Sequence, residues 1–171
     1  MSNCMFLFYK IENGMIKFRT MPTKELPPHS KPWLVALFRK HSKKFTCTGS
    51  LIGKTSVLTA AHCCIVQKAA LGAHCYDKID LEEMISIKRF KTFMFEDHDL
   101  AKYSPISRSA CMFDLDVGVA QLETPANLDN PNIQIGRIAD PEIGCSKITL
   151  DIAGWGKTKR KVKKSCSIHF K

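Results

Sequence analysis

The hydrophobic positions of this chain fall into short stretches separated by Pro, Gly, Asn and basic turns, a pattern typical of proteins built from strands. The apolar run at residues 33–38 ends at a basic turn, and residues 45–52 are predicted to be the returning strand. Further strands are predicted from alternation or β-branched residues at 56–59, 84–90, 117–122 and 148–153. The predicted fold class is therefore all-β.

The length and hydropathy of the chain restrict the classes of protein to which it can belong. With 171 residues, of which 44% are hydrophobic, it can form one ordinary domain or two small barrels that share an interface. The apolar run at residues 5–9 is interrupted by Lys10 and Glu12. It is shorter than the roughly 18 apolar residues of a membrane span and the roughly 7–15 of a signal-peptide core. We expect a soluble globular protein with no transmembrane segment and no visible signal peptide.

The net charge of +10 is concentrated near the C-terminus, because residues 157–171 hold seven Lys or Arg and no carboxylate. A solvated basic tail is the favoured interpretation of this segment. The alternative is a polyanion-binding surface formed by the tail together with the turn that follows residue 38. Its candidate residues are Arg39, Lys40, Lys43 and Lys44 in the turn and Lys159, Arg160, Lys161, Lys163 and Lys164 in the tail. Nucleic acid is not the expected partner.

Cysteine usage indicates an oxidising compartment. The eight cysteines are Cys4, Cys47, Cys63, Cys64, Cys75, Cys111, Cys145 and Cys166. Such a number is typical of secreted proteins, and the absence of any C-x-x-C pair argues against a zinc site. Acidic residues at 77, 80, 82 and 83 could attract Ca²⁺ weakly, but a solvated turn is favoured. We expect a secreted, disulfide-containing protein with no metal and no cofactor.

Six short segments carry a specific resemblance. They are Pro28-His29-Ser30-Lys31-Pro32-Trp33, Cys47-Thr48-Gly49-Ser50-Leu51-Ile52, Thr59-Ala60-Ala61-His62-Cys63, Leu71-Gly72-Ala73-His74, Asp116-Val117-Gly118-Val119-Ala120-Gln121-Leu122 and Gly154-Trp155-Gly156. In this order they resemble the chymotrypsin-like (S1) serine proteases. The resemblance covers about residues 20–156 and implies an antiparallel β-barrel that is nearly complete, followed by a second barrel that is only begun. Residues 1–19 would then be an N-terminal extension or pro-segment remnant, and 157–171 the basic tail.

The resemblance also implies a site. His62 matches the general base of the family, and Asp116 matches the carboxylate that orients it and fixes its tautomer. Asp114 is a competitor on the same strand face, but only Asp116 is followed by the apolar run that the family shows. Cys47 and Cys63 match the disulfide beside the histidine. In the family that bridge closes the loop that carries the base.

Several departures from the family are equally informative. The sequence contains no Gly-Asp-Ser-Gly-Gly segment, and Ser165 and Ser167 lack neighbouring glycines that would let the backbone form an oxyanion hole. Arg19 aligns with the activation cleavage site, but Thr20 stands where the family has an apolar residue. Cys145 matches a family cysteine whose usual partner segment is absent, so it would be unpaired or bonded to an unusual partner such as Cys166. The remaining cysteines have no assigned pairing, although two of Cys64, Cys75 and Cys111 could form a bridge.

Three functional hypotheses remain open. The first is a serine-endopeptidase-family protein that is non-catalytic as this chain, because the serine and the oxyanion hole are absent. The second is a fragment of an active secreted trypsin-like endopeptidase, which the retention of both His62 and Asp116 supports. The third is a polyanion-binding module. The first two predict a protein substrate or a partner in a protease cascade.

Overall fold

A computed structural model of the chain describes residues 6–12, 15–16, 24–40, 44–79, 84–92, 98–99, 116–138 and 150–155. The strands are β1 (Phe6–Glu12), β2 (Met15–Ile16), β3 (Lys24–Glu25), β4 (Leu34–Phe38), β5 (Phe45–Gly53), β6 (Ser56–Thr59), β7 (Lys68–Leu71), β8 (Ile85–Thr92), β9 (His98–Asp99), β10 (Gly118–Leu122) and β11 (Leu150–Gly154). Two short 3₁₀ turns lie at Ala61–Cys63 and Tyr76–Lys78. The all-β prediction is confirmed.

Six of these strands form a closed antiparallel barrel. The hydrogen-bonded order is β10, β6, β5, β4, β7 and β8, and β8 pairs again with β10 to complete the circle. Closure removes the unpaired edges that an open sheet of this size would expose. The barrel is filled by the inward-facing side chains of alternate strand positions, including Val35, Leu37, Leu51, Val57 and Phe90, each at most 1% exposed.

The position of strand β4 between two hydrophobic clusters explains why its sequence is continuously apolar. All five of its residues are buried, because Val35 and Leu37 belong to the barrel interior while Leu34, Ala36 and Phe38 belong to a second cluster outside it. A strand that is covered on both faces needs no polar alternation. The run therefore marks the place where another part of the chain packs on the barrel.

Trp155 is the largest side chain in this second cluster and is 1% exposed. Its ring meets Phe45 edge to face with centroids 6.2 Å apart, and Phe45 stacks on Tyr76 at 4.8 Å. The Trp155 indole N–H donates to the carbonyl of His74 at 2.8 Å. These contacts fix the end of β11 against the outer face of the barrel.

A second sheet joins the two ends of the described chain. Strand β1 pairs antiparallel with β11, from Phe6 opposite Gly154 to Ile11 opposite Leu150, and also pairs with β2 and β3. The sequence did not predict a strand at residues 6–12. The proposed divisions at 19/20 and 156/157 stay predictions.

The strands predicted within the barrel agree with the structure to within one or two residues at most ends. Among the described residues, no helix is long and apolar enough to cross a membrane.

Candidate active site

His62 lies in the 3₁₀ turn Ala61–Cys63, which directly follows strand β6. The turn is held by backbone hydrogen bonds from Cys63 N–H to the Ala60 carbonyl and from Cys64 N–H to the Ala61 carbonyl, both 3.0 Å. Ala61 and Cys63 point into the protein, whereas the His62 side chain is 39% exposed. The buried neighbours anchor the turn and leave the imidazole at the surface.

Asp116 contacts His62 at two points. Its Oδ2 lies 2.7 Å from the imidazole Nδ1, and its Oδ1 accepts the backbone N–H of His62 at 3.0 Å. Because Asp116 accepts a hydrogen bond from the His62 backbone as well as contacting the His62 ring, its carboxylate has little freedom to rotate away from the imidazole. Because the carboxylate accepts at Nδ1, the arrangement favours the tautomer in which Nε2 carries the basic lone pair.

The pKa of Asp116 lies below its ordinary value of 3.8. Partial burial is the largest single influence and raises the pKa. The hydrogen bonds from the His62 backbone and ring, the charge interaction with His62 and the backbone N–H of Ala61 lower it, and together they prevail. Asp116 is therefore ionised at neutral pH and able to stabilise a positive charge on His62.

The barrel register brings these two residues together although 54 positions separate them. Thr59, the last residue of β6, pairs with Gly118, the first residue of β10. The chain leaving β6 and the chain entering β10 therefore meet at one edge of the barrel, which places His62 beside Asp116. Thr59 is itself fixed, because its buried hydroxyl donates to the Thr48 carbonyl on β5 at 3.0 Å.

Gly118 permits the close approach of β10 to this edge. A Cβ atom at this position would lie 2.6 Å from Cε1 of Phe90 and 3.3 Å from the Cα of Ala61. Both distances are shorter than ordinary van der Waals contact, so a side chain here would push β10 away from the turn that carries His62.

A disulfide joins Cys63, next to His62, to Cys47 on β5. The S–S distance is 2.02 Å and the Cα atoms are 6.2 Å apart. The predicted bridge is confirmed. Cys64 and Cys75 are also disulfide-bonded. Cys4, Cys111, Cys145 and Cys166 lie outside the described residues.

A family model described as Trypsin matches residues 21–169. The chain belongs to the trypsin family. The predicted membership in the trypsin and chymotrypsin-like (S1) serine proteases is thus confirmed.

Individual trypsin-family relatives are distant and longer. The beta subunit of clotting factor G from Tachypleus tridentatus is 29% identical over 153 residues, which are 80% of this chain and 43% of that protein. A chymotrypsin from Phaedon cochleariae is 32% identical over 142 residues, 79% of this chain and 47% of that protein. The structure of neuropsin, a serine protease of mouse brain, superimposes with a TM-score of 0.46 and 27% identity, covering 67% of this chain and 46% of that one. The chain spans about half the length of the relatives it matches.

Several residues that the sequence analysis singled out lie outside the described part of the chain. They are the alternative carboxylate Asp114, the serines Ser165 and Ser167, the cleavage candidate Arg19 and the basic residues Lys43, Lys159, Arg160, Lys161, Lys163 and Lys164. Of the turn residues proposed for polyanion binding, Arg39, Lys40 and Lys44 are exposed. Their role stays a prediction.

Where the structure describes the chain, one group of three side chains has donors close enough to share a metal ion: Cys47, His62 and Cys63. The two sulfur atoms are bonded to each other, so they are not thiolates and do not bind a metal. The group is therefore part of the His62 site rather than a metal centre.

The structure also assembles three polar residues that the sequence did not bring together. His74 Nε2 lies 3.1 Å from Oε1 of Glu25, and the rings of His74 and His29 have centroids 6.3 Å apart. His29 and His74 each lie in a segment that resembles the family. No motif in the sequence links the two segments, so the sequence did not predict that the two histidines lie close together. Their proximity depends on how residues 24–33 cross the loop after β7.

Proposed function

We propose that this chain supplies the base and carboxylate of a serine-endopeptidase site, with His62 as the general base and Asp116 as the group that orients it. The double contact of Asp116 with the ring and the backbone of His62 carries this proposal. It is the geometry needed for a base that takes a proton from a nucleophile and later returns it to the leaving amine.

The proposed catalytic step needs a hydroxyl nucleophile and an oxyanion hole beside His62. The 171 residues contain no Gly-Asp-Ser-Gly-Gly segment that would provide either. We therefore expect the chain by itself to form no acyl-enzyme and to cleave no peptide bond. A protein substrate, or a protein of a protease cascade, is the proposed partner because the family acts on such chains.

The disulfides support a site of action outside the cytosol. Cys47 and Cys63 are bonded to each other, and Cys64 and Cys75 each take part in a disulfide. Structural disulfides are rare where glutathione keeps thiols reduced. We propose an extracellular location on this ground.

The second candidate function is that of one part of an active secreted endopeptidase. The observation in its favour is that the His62–Asp116 geometry is complete, and the chain spans about half the length of its relatives. In this case a second segment would place its serine against Nε2 of His62.

The test treats the refolded 171-residue chain with a fluorophosphonate probe for reactive serines and with peptidyl nitroanilide substrates. A His62→Ala variant serves as the control for labelling that does not depend on the site. We expect no labelling and no hydrolysis above this control. Labelling of the unchanged chain that disappears in the variant would overturn the non-catalytic proposal, because it would require a working nucleophile within these residues.

The same probe distinguishes the two candidates when it is applied to the protein from its natural source. An unlabelled species near 19.3 kDa supports the non-catalytic proposal. A labelled species well above that mass supports the second candidate.

A further inference from the structure

Basic residues accumulate where the end of strand β4 meets its neighbouring strands. The described residues 39–40, 44–48, 67–71 and 84–92 hold seven Lys or Arg and no Asp or Glu. The sequence linked the turn after β4 only to the C-terminal tail. The strand register instead links this turn to β7 and β8, which contain lysines that the sequence did not single out.

The pairing of three strands brings these basic positions together. Phe38, the last residue of β4, pairs with Lys68, the first residue of β7, and Lys68 pairs with Ser86 on β8. Arg39 directly follows Phe38, and Lys88 lies two positions after Ser86. Neighbouring strands are about 4.8 Å apart, so the basic positions of β4 and β8 are separated by two such spacings, about 10 Å.

The lysines of β7 and β8 lie outside the barrel. Ala69 belongs to the barrel core, and its strand neighbour Lys68 therefore faces the opposite side. Lys88 is the extra residue of a bulge, because the two residues that flank it pair with consecutive residues of β10. Bulges redirect side chains, and Lys88 is exposed.

Four of these cations form what we call the basic surface: Arg39, Lys40, Lys68 and Lys88. Lys68 is partly buried and the other three are exposed. Within the described ranges, none of the four side chains forms an ion pair with a carboxylate. Arg89 is not included, because Asp99 on β9 lies opposite it. Like charges held close together without a counter-charge create a positive potential that attracts an anion.

The composition of the surroundings indicates which kind of anion fits. In the part of the chain that the structure describes, the exposed large hydrophobic residues are Val117, Leu128, Ile135 and Ile138, and none lies on β4, β7 or β8. A protein partner usually places apolar or aromatic side chains at the centre of its interface. A polysaccharide that carries sulfate groups along its length needs only the cations.

We propose that the basic surface binds a sulfated polysaccharide through its sulfate groups. Such polymers are extracellular, which agrees with the location proposed from the disulfides. The inference does not depend on the function proposed for His62 and Asp116, since none of the four cations belongs to that pair.

The test measures binding of fluorescein-labelled heparin to the refolded 171-residue chain by fluorescence anisotropy. We expect a Kd on the order of micromolar at about 0.15 M NaCl, and binding weaker by at least about tenfold at about 0.5 M, because each neutralised charge releases counterions. Heparin from which the sulfates have been removed should also bind at least about tenfold more weakly.

The decisive variant is Lys68→Gln combined with Lys88→Gln, which should weaken heparin binding at least about tenfold. The matched control is Lys54→Gln combined with Arg137→Gln. It removes the same charge from exposed positions off the basic surface and should change the affinity by less than about twofold. If Lys68→Gln lowers the melting temperature, Arg39→Gln replaces it in the double variant.

Three results would overturn the proposal. The first is no heparin binding at the lower salt concentration. The second is equal binding by the unchanged chain and the decisive variant, which would assign heparin to the tail at residues 157–171. The third is displacement of heparin by polyglutamate of equal total charge as effectively as by unlabelled heparin, which would indicate an acidic polypeptide as the partner.

Discussion

Asp116 holds His62 by both its backbone and its ring, with Oδ1 3.0 Å from the backbone N and Oδ2 2.7 Å from Nδ1. The backbone contact belongs to the 3₁₀ turn and the ring contact belongs to the side chain. One carboxylate thus contacts both the backbone and the ring of the same histidine, which favours the tautomer with its N–H on Nδ1. The pair is formed by the barrel alone, from the ends of β6 and β10.

The lowered pKa of Asp116 gives a pH dependence of known sign. A carboxylate whose pKa is lower in the folded protein stabilises the fold fully above its unfolded pKa, near 3.8, and loses that contribution as the pH falls through the folded value. We therefore expect the difference in unfolding free energy between the unchanged chain and Asp116→Asn to shrink as the pH falls from about 5 to about 3. Urea titrations at each pH measure it, and a difference that grows over this acidic range would contradict the assignment.

Replacing Gly118 should disturb the site through the backbone. In Gly118→Ala the new methyl would meet Phe90 at 2.6 Å, so β10 must shift or Phe90 must leave its buried position. We expect a loss of about 1–3 kcal/mol in unfolding free energy. Gly53→Ala is the matched control, because its added Cβ would lie 3.6 Å from Ser56, an ordinary contact. Equal stability of the two variants in urea would show that β10 does not need the glycine.

The Cys47–Cys63 bridge should contribute substantially to stability, since it closes a loop of sequence separation 16. The double variant Cys47→Ala with Cys63→Ala is expected to lose about 2–4 kcal/mol without leaving an unpaired thiol. Circular dichroism melts measure the loss. An unchanged melting temperature would mean that the hydrogen bonds of the 59–64 segment hold the turn unaided.

Local sequence patterns predicted much of the barrel. Strands β6, β8 and β10 were predicted from alternation or β-branched content, β4 from its apolar run and β5 as the strand that returns after the basic turn. Strand β7 was not predicted because its sequence, Lys-Ala-Ala-Leu, has low strand propensity. Its extended conformation depends on pairing with the neighbouring strands β4 and β8. Strand β1 was not predicted because its partner β11 lies about 140 positions away along the chain, which local sequence patterns do not show.

The features of the site also fall into those that the sequence predicted and those that it did not. The proximity of His62 and Asp116 and the Cys47–Cys63 bridge were expected from the resemblance, since each stands in a recognisable segment. The contact of His29 with His74 was not expected, because it joins two segments 45 positions apart that share no motif. Tertiary packing alone brings those rings together.

The most direct test of the account is the protonation state of His62, read by ¹⁵N-edited NMR of the imidazole at pH 8. If Asp116 fixes His62 as a general base, the ring N–H will be on Nδ1 in the unchanged chain and will redistribute between the nitrogens in Asp116→Ala. His74 provides an internal reference, because its N–H should stay on Nε2, facing Glu25, in both proteins. An Nε2–H tautomer of His62 in the unchanged chain, or no change on removing Asp116, would contradict the proposed role of the pair.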